Sequence, residues 1–543
     1  MLNKVLLLFN TVKYLKFVQI ANRVKRKFIK PIIDLSRAPE ISSITNKPKP
    51  LIRCQQKIFD DGVFKFLNKK FNVQTAEDWN ADDQDKLWIY NLHYFDDLNA
   101  VNSEQRADWH RKLIQRWIND NPPGFKNGWE PYPSSLRIIN WIKWFLLNGN
   151  LKQEWLDSLA SQTRFLSQNL EYHLLGNHLF ANAKALIFAG LYFQGTEADE
   201  WYKTGIKILN KELPEQVLSD GGNFELTPMY HAIFLEDLLD IINLHQLYKK
   251  KLPSDVTPKV LQMFKWLKAM CHPDGDIAFF NDTALGMAPN LSQLLDYAKR
   301  LKLHIVDDNN QITYLEESGY IRISKNDLVI IADVADIGPD YIPGHGHADV
   351  LSFELSLFGE RVIVNSGIST YESGADRNMQ RGSRAHSTIT IDDVNSSEVW
   401  GGFRVAKRAK VFNINNPKEN GYIEFSACHD GYKKLNGKVV HCRQWRVSEN
   451  SLEIMDSIAG SEKHKITSVL PLHPEVKVGN VKDNTVELIV QEKRVEVSFK
   501  GDGLLQVKKS SYHPEFGLSI NNKQLIYNFN SDLPFKMNIK ISW

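Results

Sequence analysis

Two histidines separated by one residue follow a Pro-Gly turn in Pro343-Gly344-His345-Gly346-His347-Ala348-Asp349. Imidazole suits both proton transfer and metal ligation, because it changes charge near neutral pH and has two distinct ring nitrogens. The alternation that follows (Val350, Leu351, Phe353, Leu355, Leu357) predicts a strand with one buried face. If extended geometry already holds at the histidines, both rings point to one side of the sheet, one able to bind a metal and the other to reach into a cleft. A bare His-x-His is more often a pair of ordinary side chains, so other segments must decide its meaning.

The next candidate is Gly176-Asn177-His178. Gly-Asn breaks one helix and puts Asn177 and His178 at the start of another, where partial positive charge favours an anionic group. The plain alternative is that Asn177 is only a helix cap. In Asp220-Gly221-Gly222-Asn223-Phe224-Glu225-Leu226-Thr227-Pro228-Met229-Tyr230, a glycine turn leads to a Pro-started helix with Tyr230 in its first turn. That phenol can exchange a proton if cations lower its pKa; otherwise it is a half-buried hydroxyl. Arg377, Arg381 and Arg384 lie close together before His386 and form either a cationic lip for carboxylates and sulfates or a solvated loop. Trp129 and Tyr132, in one of two aromatic-rich stretches, suit sugar stacking as well as core packing. Asp220 and Glu225 are a candidate hydrolase pair, although nothing in the sequence sets their separation.

These residues need two kinds of element to hold them. From about residue 85 to 305 apolar residues recur three and four apart, for example over 109–118, 134–147, 154–170, 178–193 and 230–248. That pattern predicts paired helices in a curved array or toroid. From about 315 onward the period falls to two, over 320–323, 328–333, 361–365, 387–391, 422–427, 439–447, 486–490 and 525–529, and predicts an antiparallel sandwich. The expected division is a wrapping segment over 1–79, a toroid over 80–310 and a sandwich over 311–543, with the boundary near 303–315.

At 543 residues, 43% hydrophobic and 24% charged, the chain reads as a multidomain globular protein, and a net charge of +3 gives no reason to expect nucleic acid. The four cysteines show no CxxC spacing; Cys428 and Cys442 fall in successive strands, and free thiols are the expectation. Val5 to Phe9 is too short to span a bilayer, is interrupted by Asn10 and Thr11, and lacks a signal cleavage site. Residues 1–30 instead predict a basic amphipathic helix, packed on the protein or making peripheral contact with an anionic membrane, packing being the commoner fate.

Taken together, GNHLFANAKAL at 176–186, FELTPMYH at 224–231, GHGHADVLSFEL at 344–355 and RAHSTITID at 384–392 resemble the heparinase II/III family of polysaccharide lyases. The resemblance implies an incomplete (α/α) toroid followed by an antiparallel β-sandwich, and β-elimination at a 4-O-linked uronic acid of an anionic polysaccharide. It implies that Asn177 and His178 neutralise the carboxylate, that Tyr230 acts as base, acid or both, and that His345 is the second proton-transfer group. His347 and His386 match family zinc ligands, with Asn365 where the family has an aspartate, so any zinc is expected to be weakly held and structural; no organic cofactor is implied. Ala181 offers no carboxylate beside His178, where one branch of the family has one. The resemblance suggests the cell envelope or periplasm, while the lack of a clear signal leaves the cytoplasm as the alternative. A second function is a non-catalytic or assembly protein binding a bacterial surface polysaccharide of a capsule or O-antigen pathway.

Overall fold

The structure is a computed structural model describing residues 2–60, 62–306 and 310–543. Two short helices, Leu2–Val12 and Phe17–Phe28, open the chain. A three-stranded antiparallel sheet over Ile58–Asp60, Val63–Phe66 and Lys69–Asn72 follows in the wrapping segment. The sequence reading does not anticipate this sheet. Its second hairpin turns on Leu67 and Asn68, both at positive φ, instead of the Asn-Gly pair that marks such turns.

Nine α-helices then run from Lys86–Tyr94 to Leu291–Arg300, with no strand between them among the described residues. Gly176–Tyr192 is the hub, packing against Pro131–Leu147, Thr196–Gln216 and Pro228–Leu247. Its partner Thr196–Gln216 comes very close: a Cβ at Gly190 would lie 2.5 Å from the Tyr202 backbone nitrogen. Glycine is therefore required there by proximity.

The first strand of the second half opens at Ile312. Residues 307–309, inside the expected boundary, lie outside the described residues. All strand pairs are antiparallel, in sheets of five, eight and four strands plus a two-stranded ribbon. The inward faces form one core that includes Phe353, Phe425, Trp445, Ile454 and Ile539. Val440–Val447 shows the strict alternation that a sheet with one buried face requires. A helical N-terminal half followed by an antiparallel sandwich is thus the architecture that the change of period predicts.

Two expectations need correction. The strand after the histidines begins only at Phe353, so His345 and His347 lie in a loop. Gly346 packs too tightly for a side chain there, a Cβ being 2.5 Å from the Ile337 carbonyl oxygen. Cys428 and Cys442 are not free thiols. They are direct partners on adjacent strands and form a disulfide.

Candidate active site

A cavity of about 1300 Å³ lies between the helical half and the sandwich. Asn177, His178, Tyr132 and Tyr230 reach it from the helical side, and His345 and Tyr371 from the sandwich side. No local packing rule brings these residues together; the docking of the two halves does.

The helix carrying Asn177 starts at Gly176, preceded by Leu175 at positive φ with no side-chain cap. Asn177 is therefore in the first turn and is not the cap, and it lines the cavity. His178 Nδ1 lies 3.2 Å from Glu171 Oε1. Burial disfavours the charge on His178, but Glu171 outweighs it and raises the pKa. The carboxylate missing at Ala181 is thus supplied by Glu171, itself buried and bonded to Asn182. Tyr132 lies on the His178 ring, with centroids 4.4 Å apart.

Tyr230 stands in the first turn of Pro228–Leu247. Its ring lies 4.2 Å from the His345 ring, and its hydroxyl is 3.0 Å from that of Tyr371. Burial pushes its pKa up, and the bond to Tyr371 offsets this only in part. The condition left open by the sequence, a phenol lowered by cations, is not met: the shift is upward and favours the protonated form. His345 Nδ1 donates to Asp282 Oδ2 at 2.9 Å, which in the neutral ring places the lone pair on Nε2. That Nε2 lies 3.6 Å from Glu225 Oε2, beyond hydrogen-bond range.

Asp282 is the residue that sequence reading missed most clearly. Its carboxylate is fully buried and receives His345, His347 at 2.8 Å and a bidentate Arg377. Burial alone would raise its pKa, but these partners hold it well below the ordinary carboxylate range. Phe279-Phe280-Asn281-Asp282 carries no periodicity to flag it.

The cationic lip does not exist. Arg377 is buried on Asp282, and Arg381 is buried on the carbonyl oxygens of Gly346, Gly401 and Gly402. Arg384 is exposed and pairs with Asp393, away from the cavity lining. Trp129 is a core residue whose indole N–H donates to the Asn121 carbonyl. Of the aromatic and arginine candidates only Tyr132 lines the cavity. Asp220 is bound to the backbone and hydroxyl of Ser318, outside that lining, so the Asp220–Glu225 pair is absent as a hydrolase pair.

His347, Asp349 and His386 form a buried group whose donor atoms lie within 4.8 Å of one another and can hold a metal ion. The expected ligand Asn365 is corrected to a supporting role. Its Oδ1 takes His386 Nδ1 at 3.0 Å, while Asp282 takes the outer nitrogen of His347. Both rings are thus oriented from behind, as metal-binding imidazoles commonly are. Burial holds His347 down to about 4 and His386 well below its usual value, so both are in the neutral form that ligates. Burial also pushes Asp349 up to about 6, a carboxylate that a cation would stabilise. The donor set fits a metal. Asn365→Ala should lower its affinity by roughly 10–100-fold, whereas Asn365→Asp adds no ligand; metal analysis and zinc titration of the variants check both.

Comparison with known proteins gives the family and the fold. Residues 12–314 match the model for the heparinase II/III N-terminus, and residues 307–543 match that for the heparinase II/III-like C-terminal region. The chain belongs to the heparinase II/III family. A relative in the family is a heparin-sulfate lyase of Bacteroides stercoris, 26% identical over 84% of this chain and 76% of that protein. Another relative, the FtsZ-localized protein C of Caulobacter vibrioides, is 22% identical over 71% of this chain and 68% of its own length. The crystal structure of heparinase III shares the fold, with a TM-score of 0.70 at 20% identity over 85% of this chain and 78% of that one.

Proposed function

We propose that the chain is a polysaccharide lyase that cleaves uronate-containing polymers by β-elimination, with Asn177, His178, Tyr230 and His345 as its machinery. The observation that carries this reading is the convergence of those side chains, from both halves, on one cavity. Elimination needs the uronate carboxylate neutralised, a base at C5 and an acid at the departing O4. Asn177 and His178 face the carboxylate, with Glu171 raising the His178 pKa against the effect of burial and so favouring its charged form. His345 Nε2, set by Asp282, removes the C5 proton; the C5 electron pair forms the C4–C5 double bond as the C4–O4 bond breaks. Tyr230, still protonated, gives its proton to O4 and is supported by Tyr371.

The substrate should be sparsely charged. Lys143 and Lys184 line the cavity but are held by Asp240 and Asp237, and Lys86 is held by Glu130. Arg53 is held by Glu104, so Arg23 and Arg404 are the remaining cations of the lining, few for a dense row of sulfates, while a single carboxylate is met at Asn177 and His178. The assay is absorbance near 235 nm, which only a conjugated unsaturated uronate produces. Unsulfated uronate polymers should exceed heparin in kcat/KM by about 10-fold or more, since ~1.4 kcal/mol of lost pairing suffices. Binding without any absorbance change across an unsulfated panel would instead indicate the non-catalytic polysaccharide-binding reading.

Zinc is the ion we assign to His347, Asp349 and His386, whose nitrogen and oxygen donors suit it. Bound there, it would supply fixed positive charge and cross-link the loop that carries His345, a structural role. The disulfide supports an oxidising location such as the periplasm.

A further inference from the structure

The N-terminal helices pack against the body with the opposite orientation from an ordinary surface helix. An amphipathic helix normally buries its apolar stripe and exposes its polar one. In Phe17–Phe28 it is Gln19 that is buried, its amide donating to the Tyr341 carbonyl at 3.3 Å and lying 3.4 Å from that of Leu174. Arg26 reaches the Asn169 carbonyl, and Lys16, just before the helix, sits 3.7 Å over the Tyr341 ring. Phe17, Ile20, Val24 and Phe28 point outward at 84%, 42%, 52% and 81% exposure.

The preceding helix does the same. Thr11 accepts from the Trp400 indole, and Tyr14 lies under the Arg408 guanidinium at 3.9 Å. Val5, Leu6 and Phe9 are exposed, and the apolar run continues through Ile29, Ile32, Ile33 and Leu35. Exposed apolar surface this continuous marks a contact site.

Charge selects what it contacts. Residues 1–33 contain eight Lys or Arg and no Asp or Glu. A second copy presenting the same face would be repelled. The helices are 11 and 12 residues long, too short to cross a bilayer. Lys16 pairs with Glu215, but the other seven cations are in no ion pair among the described residues, and apolar side chains flanked by such cations are what an interfacial helix on anionic lipid requires.

We propose that this face docks the protein on an anionic lipid surface, with both helices lying in the interface. The same segment contributes Leu8, Thr11, Val12, Leu15, Gln19 and Arg23 to the cavity wall, so docking would hold the cavity beside the membrane.

The test is flotation of the full chain with vesicles of phosphatidylcholine alone or containing phosphatidylglycerol. Recovery with the anionic vesicles and not the neutral ones is expected. Joint replacement Phe17→Ser, Val24→Ser and Phe28→Ser, or separately Lys25→Glu, Lys27→Glu and Lys30→Glu, should each weaken partitioning about 10-fold or more. None of these six lines the cavity. An unchanged circular dichroism melt shows that each variant folds. No recovery with anionic vesicles overturns the proposal, as does recovery that neither set weakens. A concentration-dependent dimer abolished by the serine variant, without vesicle binding, overturns it in favour of a second copy. Flotation does not depend on turnover, so the proposed lyase activity can fail independently.

Discussion

Tyr230→Phe is expected to lower kcat by roughly 10²-fold or more while leaving KM close to that of the parent. Phenylalanine keeps the ring against His345 and removes only the hydroxyl, whose contact is Tyr371. A tyrosine kept for packing alone would therefore lose almost no turnover on this change. His345→Ala should produce a loss of similar order, and the double variant should be little worse than either single one. Two groups serving one transition state are far from additive. Initial rates at 235 nm on one uronate polymer settle the comparison. Near-parental kcat in Tyr230→Phe would remove it as the acid.

Asp282→Ala should be the most damaging single change to stability, costing about 3–5 kcal/mol. It strands the Arg377 guanidinium, fully buried and answered otherwise only by the Gly402 carbonyl among its hydrogen bonds. It also frees the tautomer of His345, so surviving folded protein should turn over slowly. Denaturant melts of parent and variant measure the first effect, and rates per folded molecule the second. The sign with pH follows from the depressed pKa. The contribution of Asp282 is complete above the ordinary carboxylate range and is lost only as pH falls toward its lower folded value. Parent and variant should converge in stability in strong acid. A variant as stable as the parent at neutral pH would refute the assigned role.

Much of the architecture is legible because periodicity reports burial directly. The helix over 178–193 and the strand over 439–447 fall within a few residues of the observed elements. The small sheet at 58–72 is not legible, since its short strands and Leu67-Asn68 turn lack the usual signals. At the site, Asn177, His178, Tyr230 and His345 can be named from local motifs because each sits at an element start or turn. Their partners cannot. Asp282, Glu171 and Tyr371 acquire meaning only from long-range contacts, and an arginine written next to a histidine does not show whether it faces water or a buried carboxylate. Arg377 and Arg381 failed as a lip for that reason. Asn365 shows the same limit: its chemistry could be read, but not which side of His386 it occupies.

The join between the halves is uneven, and its consequence is kinematic. On one side, residues 272–282 are bound to the sandwich by His272 with Glu354 and Ser356, by Asp274 with Arg361, by Asn281 with the His347 backbone, and by Asp282 with both histidines. Across the cavity the ties are fewer: the hydroxyls of Tyr230 and Tyr371, Tyr341 with Glu215, and the Lys86 backbone with Glu372. A rotation that admits a polymer therefore has its axis along 272–282. It would carry His345 with Asp282 as a unit and part Tyr230 from both Tyr371 and His345. Opening would thus take the acid away from the base, and closure would restore the pairing seen here.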